Sequence, residues 1–461
     1  MKHHSLHLFL LYEELIEAGE VVDYDVFKIE SSLEVLLNIV VVGGGAGGLE
    51  LVVSLASAYR RNHDIHITLV DQSLTHVWKP LFHEVASGSL NNIYDKMSYL
   101  AIARKNNFHF ELGQLKKIDR TNKTILIHNP DAIEIPEELI LPYDLLILSI
   151  GSVTNNFSTP GSNEFCYYLD FEQQAKTIHR VLFKQLIKNH YENGSKPIQI
   201  AIVGGGATGV ELAAELRNSL SQLSALISQK FDPKEIARIH IIEAASRILS
   251  PLPENISVVT QKQLAEMDID ILTNTRVIEV KEKGIITHEN QFIPADMIIW
   301  VAGIKGQESA KNLADFEFNN AGQIKVKPTL QTTVDDSIFA FGDCACCILS
   351  DGKQVPARAQ AAHQQASLLV HSIQNVINKE PLKEYRYVDH GSLVSLSQKG
   401  TTGALILGNE KSVFITGYFA RMVYLLLYKS HQIKIIGYWK VGVMTVANFL
   451  MRRVRSTLKL H

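Results

Sequence analysis

Two glycine clusters, four acids and a pair of glutamines carry the chemistry this chain could do. Gly43, Gly45 and Gly48 fit the pattern G-x-G-x-x-G, and Gly204, Gly206 and Gly209 fit it again. In such a loop the first glycine turns the chain out of a strand. The second lets a pyrophosphate touch the backbone, and the third lets a helix pack close to the sheet. The phosphates then meet a helix N-terminus, where free N–H groups and the macrodipole favour negative charge. Asp71 lies 23 positions past Gly48, near the interval of about 20 at which a Rossmann unit places its ribose-binding acid. Glu243 lies 34 positions past Gly209. An acid there accepts from a ribose 2′-hydroxyl and repels a 2′-phosphate, which favours NADH over NADPH. Arg247 is close in sequence and is a weak countersignal. Glu211 follows the second loop on the first turn of its helix, and Glu50 stands at the same offset after the first. Either can orient a ligand or manage a proton, or simply serve the helix dipole. Gln360 and Gln364 are four apart and share a helix face.

These residues need strands and helices to hold them. Asn38–Val42 is a β-branched strand, followed by a helical pattern with Leu49, Val52, Val53 and Ala56 on one face. Ile65–Val70 is a second strand, ending at Asp71. Tyr143–Ser152 reads as a buried strand closing on a turn at Gly151, and Asn155, Asn156 and Pro160 suggest a domain crossover. The series then repeats, with strands at Ile198–Val203 and Ile239–Ile242. A helix extension over Ser219–Lys234 accounts for the longer interval to Glu243. Ala295–Gly303 mirrors the Gly151 strand and ends at Ala302 and Gly303. Ser337–Phe341 leads to Gly342 and Asp343, and Pro356–Ala366 opens a long helix. The whole predicts an α/β chain with two Rossmann-like dinucleotide-binding domains. Two such sites in one chain point to electron transfer between them.

Composition bounds the rest. The chain has 461 residues, enough for two or three domains, and a net charge of −3 that indicates no nucleic acid partner. Four cysteines are too few for a disulfide scaffold and suggest a reducing cytosol. Cys344, Cys346 and Cys347 contain a C-x-x-C, but no further ligands stand nearby, so no metal is expected. Residues 1–37 read as a poorly ordered extension rather than a secretory signal.

On these residues the chain resembles the two-dinucleotide-binding-domain flavoproteins and, more closely, the type II NADH:quinone oxidoreductases of the bacterial kind. The specific stretches are His76-Val77-Trp78-Lys79-Pro80-Leu81-Phe82-His83-Glu84-Val85-Ala86, Trp300–Lys305, Ala359-Gln360-Ala361-Ala362-His363-Gln364 and Asp389–Leu396. The likeness runs from about Asn38 to His461. It implies that 38–155 with 330–400 binds FAD, non-covalently, through Gly43, Gly45, Gly48, Asp71, Lys79, Gly151, Gly342 and Asp343. It implies that 156–329 binds NADH through Gly204, Gly206, Gly209, Glu211, Glu243, Ala302 and Gly303, with Glu211 as the orienting or proton-managing group near the reacting rings. Gln360, Ala361 and Gln364 are expected to line a site for ubiquinone or menaquinone, and His363 to be a candidate proton source. The helix N-terminus at 356–366 is expected to face the flavin's developing charge. A homodimer is implied.

A quinone enzyme must reach the bilayer. Val413–Tyr428 is apolar except for Arg421, and Val441–Met451 is apolar and precedes Arg452, Arg453, Arg455 and Lys459. Both are short for a span. They suit a monotopic anchor, 401–461, on an anionic cytoplasmic leaflet, without proton pumping. A flavin disulfide reductase is nearly excluded, because Asp71–Leu100 holds no cysteine pair. A sulfide:quinone oxidoreductase would need Cys166 with Cys344 or Cys347 as redox partners. A flavin-binding sensor would show no quinone-dependent NADH oxidation.

Overall fold

The computed structural model describes residues 37–89, 96–129, 137–191, 196–227, 233–397, 400–407 and 411–452. The expected N-terminal extension lies outside them except for Leu37, as do Arg453, Arg455 and Lys459 of the basic cluster.

Strand β1 (Leu37–Val42) leads through the first glycine loop into helix α1 (Ala46–Ala58) and back through β2 (Ile65–Asp71). The segment after β2 carries the short helix α2 (Phe82–Ser87) and then α3 (Tyr99–Asn106), before β3 (His109–Leu112). With β4 (Leu145–Leu148) and the late β10 (Ile338–Ala340), these strands form a five-stranded parallel sheet in the order β10-β4-β1-β2-β3. Its central strands are almost wholly apolar because both faces are covered.

The second unit repeats the plan. Strand β5 (Cys166–Tyr168) and β6 (Ile198–Val203) precede helix α4 (Ala207–Ile227), which is followed by β7 (Ala237–Ile242), β8 (Ile269–Leu272) and β9 (Met297–Trp300). The sheet order is β5-β9-β6-β7-β8, again all parallel. In each sheet the chain leaves the first central strand toward one side and later returns to the other. Ligands bind in the crevice at that reversal, and Gly43 and Gly204 sit at its two mouths. Helix α4 has 21 residues against 13 in α1, which accounts for much of the longer interval to Glu243.

The cores set the unit boundaries. Ala310, Leu313, Ile324 and Val326 pack in the first core, so the chain rejoins that unit soon after the Ser152–Thr154 and Ile304–Gly306 ribbon, ahead of the expected 330. Helix α5 (Ala359–Asn378) follows β10 and packs on α1. It starts three residues after Pro356, with Arg358 as its cap residue, so the proline precedes the first turn rather than joining it. Strands β11 (Gly391–Ser395), β12 (Thr401–Leu407) and β13 (Lys411–Thr416) form an antiparallel sheet. Its Val394, Leu396 and Ala404 pack in the second core. Two helices close the chain, α6 (Gly417–Ile436) and α7 (Tyr438–Arg452). The apolar run beginning at Val413 therefore divides between β13 and α6. No helix among the described residues is long and apolar enough to cross a membrane.

Candidate functional site

Both glycine loops divide their labour as the spacing predicts. Gly43 and Gly204 have φ of +101° and +116°, the left-handed region in which side chains are strained. A Cβ on Gly48 or Gly209 would run into the carbonyl of Gly43 or Gly204. A Cβ on Gly45 or Gly206 would meet nothing within 4 Å, which leaves an open cradle at each helix N-terminus. Gly45 caps α1 without any side-chain bond, so the first N–H groups of the helix are left for a ligand.

The two acids close their loops identically. Asp71 Oδ2 accepts from the Gly44 N–H at 2.6 Å, and Glu243 Oε2 accepts from the Gly205 N–H at 2.7 Å. Their other oxygens accept from Ser73 and Ala245 N–H groups. A carboxylate has about four acceptor positions, so capacity remains for ribose hydroxyls. Burial raises the Asp71 carboxyl above its usual range against the pull of those N–H groups. Arg247 donates to the carbonyls of Leu249, Ser250 and Leu252, so its guanidinium holds a turn.

Residues far apart in sequence meet in the first unit. Lys79 Nζ donates to the Ser152 carbonyl at 2.9 Å, and Ser152 Oγ donates to Asp343 Oδ2 at 3.1 Å. Gly151, beside them, has φ of +74° and open space around its Cβ position. The Gly342 N–H donates to buried Gln365, and Gln323 donates to the Asp343 carbonyl. The set offers an open cradle, a cation and a late acid, and it fits a flavin dinucleotide. In the second unit Ala302 packs on Gly204, and Gly303 turns with φ of +64° against Phe157.

Glu211 is buried on α4. Its Oε1 accepts from the Ser395 N–H at 2.9 Å, and its Oε2 lies 3.6 Å from His83 Nδ1. Burial, with Glu84 and Glu215 nearby, pushes its carboxyl up to about 8. Burial pushes His83 down to about 4. Burial thus favours the protonated carboxyl of Glu211 and the neutral ring of His83.

Glu50 has the opposite surroundings. It accepts from His363 Nδ1 at 2.5 Å and His431 Nδ1 at 2.6 Å, with Lys434 at 3.7 Å. Burial works to raise its carboxyl, but the two histidines outweigh it together and hold it at about 2. Trp78 stacks on Tyr428 and His431, which seats α6 on the His76–Ala86 segment. Residue type and spacing do not single out His431 or Tyr99. Their partners lie hundreds of positions away or in the backbone, and no spacing rule reports that.

Gln360 donates to Tyr387, Asp389 and the Gly391 carbonyl, and Gln364 donates to the Val388 carbonyl. Ala361 is buried. The two amides hold residues 387–391 on α5, so a quinone carbonyl would compete with those acceptors. A cleft of about 780 Å³ runs beside Gln364, lined by His363, Lys383, Arg386 and His390 among others. Leu368 and Tyr385 also line it, so charged and apolar side chains share the walls. Apolar side chains stand exposed on α6 and α7, including Phe419, Leu426, Val446, Tyr418 (84% exposed) and Trp439 (84%). Arg421 points its charge at the Ser397 carbonyl.

The cysteines are free. Burial pushes Cys166 up to about 12 and Cys344 and Cys347 up to about 11, so they are thiols rather than nucleophilic thiolates. No group of three or more His, Cys, Asp or Glu able to hold a metal occurs among the described residues.

Comparison with known proteins agrees with this geometry. The family model of the pyridine nucleotide-disulphide oxidoreductases matches residues 37–366. The type II NADH:quinone oxidoreductase of Haemophilus influenzae is 38% identical over 446 residues, covering 92% of this chain and 100% of that protein. Among solved structures, NDH2 from Plasmodium falciparum in complex with NADH superposes with a TM-score of 0.78 at 20% identity, over 92% of this chain and 100% of that one. The sulfide:quinone oxidoreductase of Aquifex aeolicus reaches 0.70 at 18%, over 87% and 91%, which is a likeness of fold. The fold and both loops thus define a pyridine nucleotide-disulphide oxidoreductase. Within that class, the chain belongs to the type II NADH:quinone oxidoreductases.

Proposed function

We propose that the chain is a respiratory NADH dehydrogenase without proton pumping, which oxidises NADH in its second unit and passes two electrons through non-covalent FAD in its first to a membrane quinone. The observation that carries this is the reach of one segment, His76–Ala86, into both units. Its His76 bonds the first glycine loop, its Lys79 joins the Ser152–Asp343 cluster, and its His83 faces Glu211. A bound flavin supplies the ability to accept a hydride and to reduce a quinone.

The protein's part is positioning and charge. Gly204, Gly206 and Gly209 receive the NADH pyrophosphate, and Glu243 receives its ribose hydroxyls. Ala302 and Gly303 border that path. Gly43, Gly45, Gly48 and Asp71 hold the ADP half of FAD, while Lys79, Gly151, Gly342 and Asp343 meet its inner half. Burial favours the protonated form of the Glu211 carboxyl. The quinone enters beside Gln360, Ala361 and Gln364, and the exposed apolar side chains of α6 and α7 rest in the leaflet. A homodimer, peripheral on the cytoplasmic face of a bacterial inner membrane, is the assembly this reading expects.

The test is spectroscopic. Anaerobic NADH should bleach the flavin, and a short-chain ubiquinone should restore it. Bleaching by sulfide and not by NADH would overturn the reading in favour of a sulfide:quinone oxidoreductase.

A further inference from the structure

We infer that His76, His431 and Glu50 form a directed hydrogen-bond chain that positions the phosphate loop of the first unit and makes flavin retention depend on how α6 docks. This rests on the reading of the first unit as the FAD site.

The direction of the chain follows from donor bookkeeping. It starts at the Gly44 carbonyl, which can only accept. Tyr99 Oη donates to it at 2.7 Å, and His76 Nδ1 lies 2.9 Å away, so that nitrogen carries a proton. Burial keeps His76 down at about 3, so the ring is neutral and its Nε2 must accept. The atom facing it, at 3.0 Å, is His431 Nε2, which must therefore donate. His431 Nδ1 faces the Glu50 carboxylate, which also only accepts. His431 thus donates from both nitrogens. The ring is 4% exposed and rests against the Glu50 carboxylate. On the other oxygen of Glu50, His363 Nδ1 donates, and its Nε2 accepts from Lys434 Nζ at 2.9 Å. Every hydrogen can be placed without conflict, and the chain points one way from His431 to Gly44.

The loop end of this chain has a consequence for ligand binding. Across a planar trans peptide, C=O and N–H point in opposite directions. Drawing the Gly44 carbonyl toward His76 and Tyr99 turns the Gly45 N–H the other way, and Gly45 is the position whose side is open. Hydrogen bonds in series polarise one another, and this series runs toward that peptide.

The second unit shows that such a chain is not required by the loop itself. The matching carbonyl, Gly205, accepts from the Leu249 N–H at 2.8 Å, a backbone donor of the same unit. The NADH loop is therefore braced locally. The flavin loop is braced through side chains that end on α6, the helix that presents Tyr418, Phe419 and Leu426 outward. Five elements meet in the device: α1 gives Glu50, α3 gives Tyr99, α5 gives His363, α6 gives His431 and Lys434, and the segment before α2 gives His76. These are positioning residues, since the loop lies between them and any bound cofactor.

The experiment measures FAD release from purified holoenzyme by the return of flavin fluorescence on dilution. The variants are Glu50→Gln, His431→Phe and the double variant, with Leu264→Ala as a control that loosens the second core alone. We expect each single variant to speed release by tenfold or more. We expect the double variant to release no faster than the worse single, because a chain acts as one unit. We expect NADH affinity to be unchanged and Leu264→Ala to retain flavin even at a matched loss of Tm. Release at the wild-type rate from folded variants would overturn the inference. So would release that follows Tm equally in Leu264→Ala. If the wild-type protein binds no FAD, or loses it only when Gly206 is changed, the assignment of the units fails instead.

Discussion

Glu50 and Glu211 stand at the same step behind the two glycine loops, and their surroundings drive their acidity apart. Glu50 is held at about 2 by His363 and His431, while burial beside Glu84 and Glu215 lifts Glu211 to about 8. A repeated scaffold has produced one carboxyl that favours its anion and one that favours its proton. Opposed carboxyl environments of this kind assign roles that sequence position alone leaves equal.

The protonated form has a stability signature. Glu211 is raised above the ordinary carboxyl value of 4.5, so the folded protein holds a proton that the unfolded chain has released. Its contribution is full below about pH 4.5 and is lost as pH rises through 8. Glu211→Gln imitates the protonated form at every pH. The Tm of the natural protein should therefore fall relative to this variant as pH rises from about 4.5 to about 8. Parallel Tm curves would show that Glu211 is ionised throughout.

Glu50 has the opposite sign. Its folded value is depressed, so its contribution is present above about pH 4.5 and is lost as pH falls through 2. Glu50→Gln weakens two hydrogen bonds to a charged acceptor, each worth about 1.5–3 kcal/mol. Denaturant unfolding at pH 7 should show that gap in full, and the gap should narrow below pH 4.5. A variant as stable as the natural protein at pH 7 would mean that the two histidine contacts of Glu50 do not stabilise the fold.

Much of this was legible beforehand. Glycine spacing, apolar strand runs and the acids at Asp71 and Glu243 report local geometry, and both parallel sheets follow from them. Less legible were features made by tertiary contact. Glu50 could be noted only for its offset, because its partners His363 and His431 come from two distant helices. The glutamines on α5 predict a shared face, but not that Tyr387, Asp389 and Val388 occupy their donors. Arg247 looked like a countersignal to NADH until three carbonyls were seen to hold it.

That arrangement of Arg247 yields a test of cofactor choice. With the guanidinium committed to a turn, the proposed site leaves Glu243 as the acid for the ribose. Glu243→Arg removes a charged acceptor worth about 1.5–3 kcal/mol, on the order of 10- to 150-fold in affinity. The KM for NADH should rise by that order, the preference should move toward NADPH, and flavin content should stay constant. Arg247→Ala should leave the NADH-to-NADPH ratio unchanged. A large shift in that ratio would place Arg247 at the ribose after all.

Membrane attachment is best tested at the surface rather than by truncation. Cutting the chain before α6 would also remove His431, Gln432 and Ile435, which are buried. Leu426 and Trp439 lie on α6 and α7, and Trp439 is 84% exposed, so charging them removes no core contact. Each such side chain contributes about 1.5–3 kcal/mol when it leaves water. Leu426→Glu with Trp439→Glu should therefore shift the protein from vesicles of anionic lipid to the supernatant by 100-fold or more in partitioning. NADH oxidation by ferricyanide should persist, since neither residue touches the loops or the Lys79–Ser152–Asp343 cluster. Retention on vesicles by the folded double variant would move the attachment site away from this face.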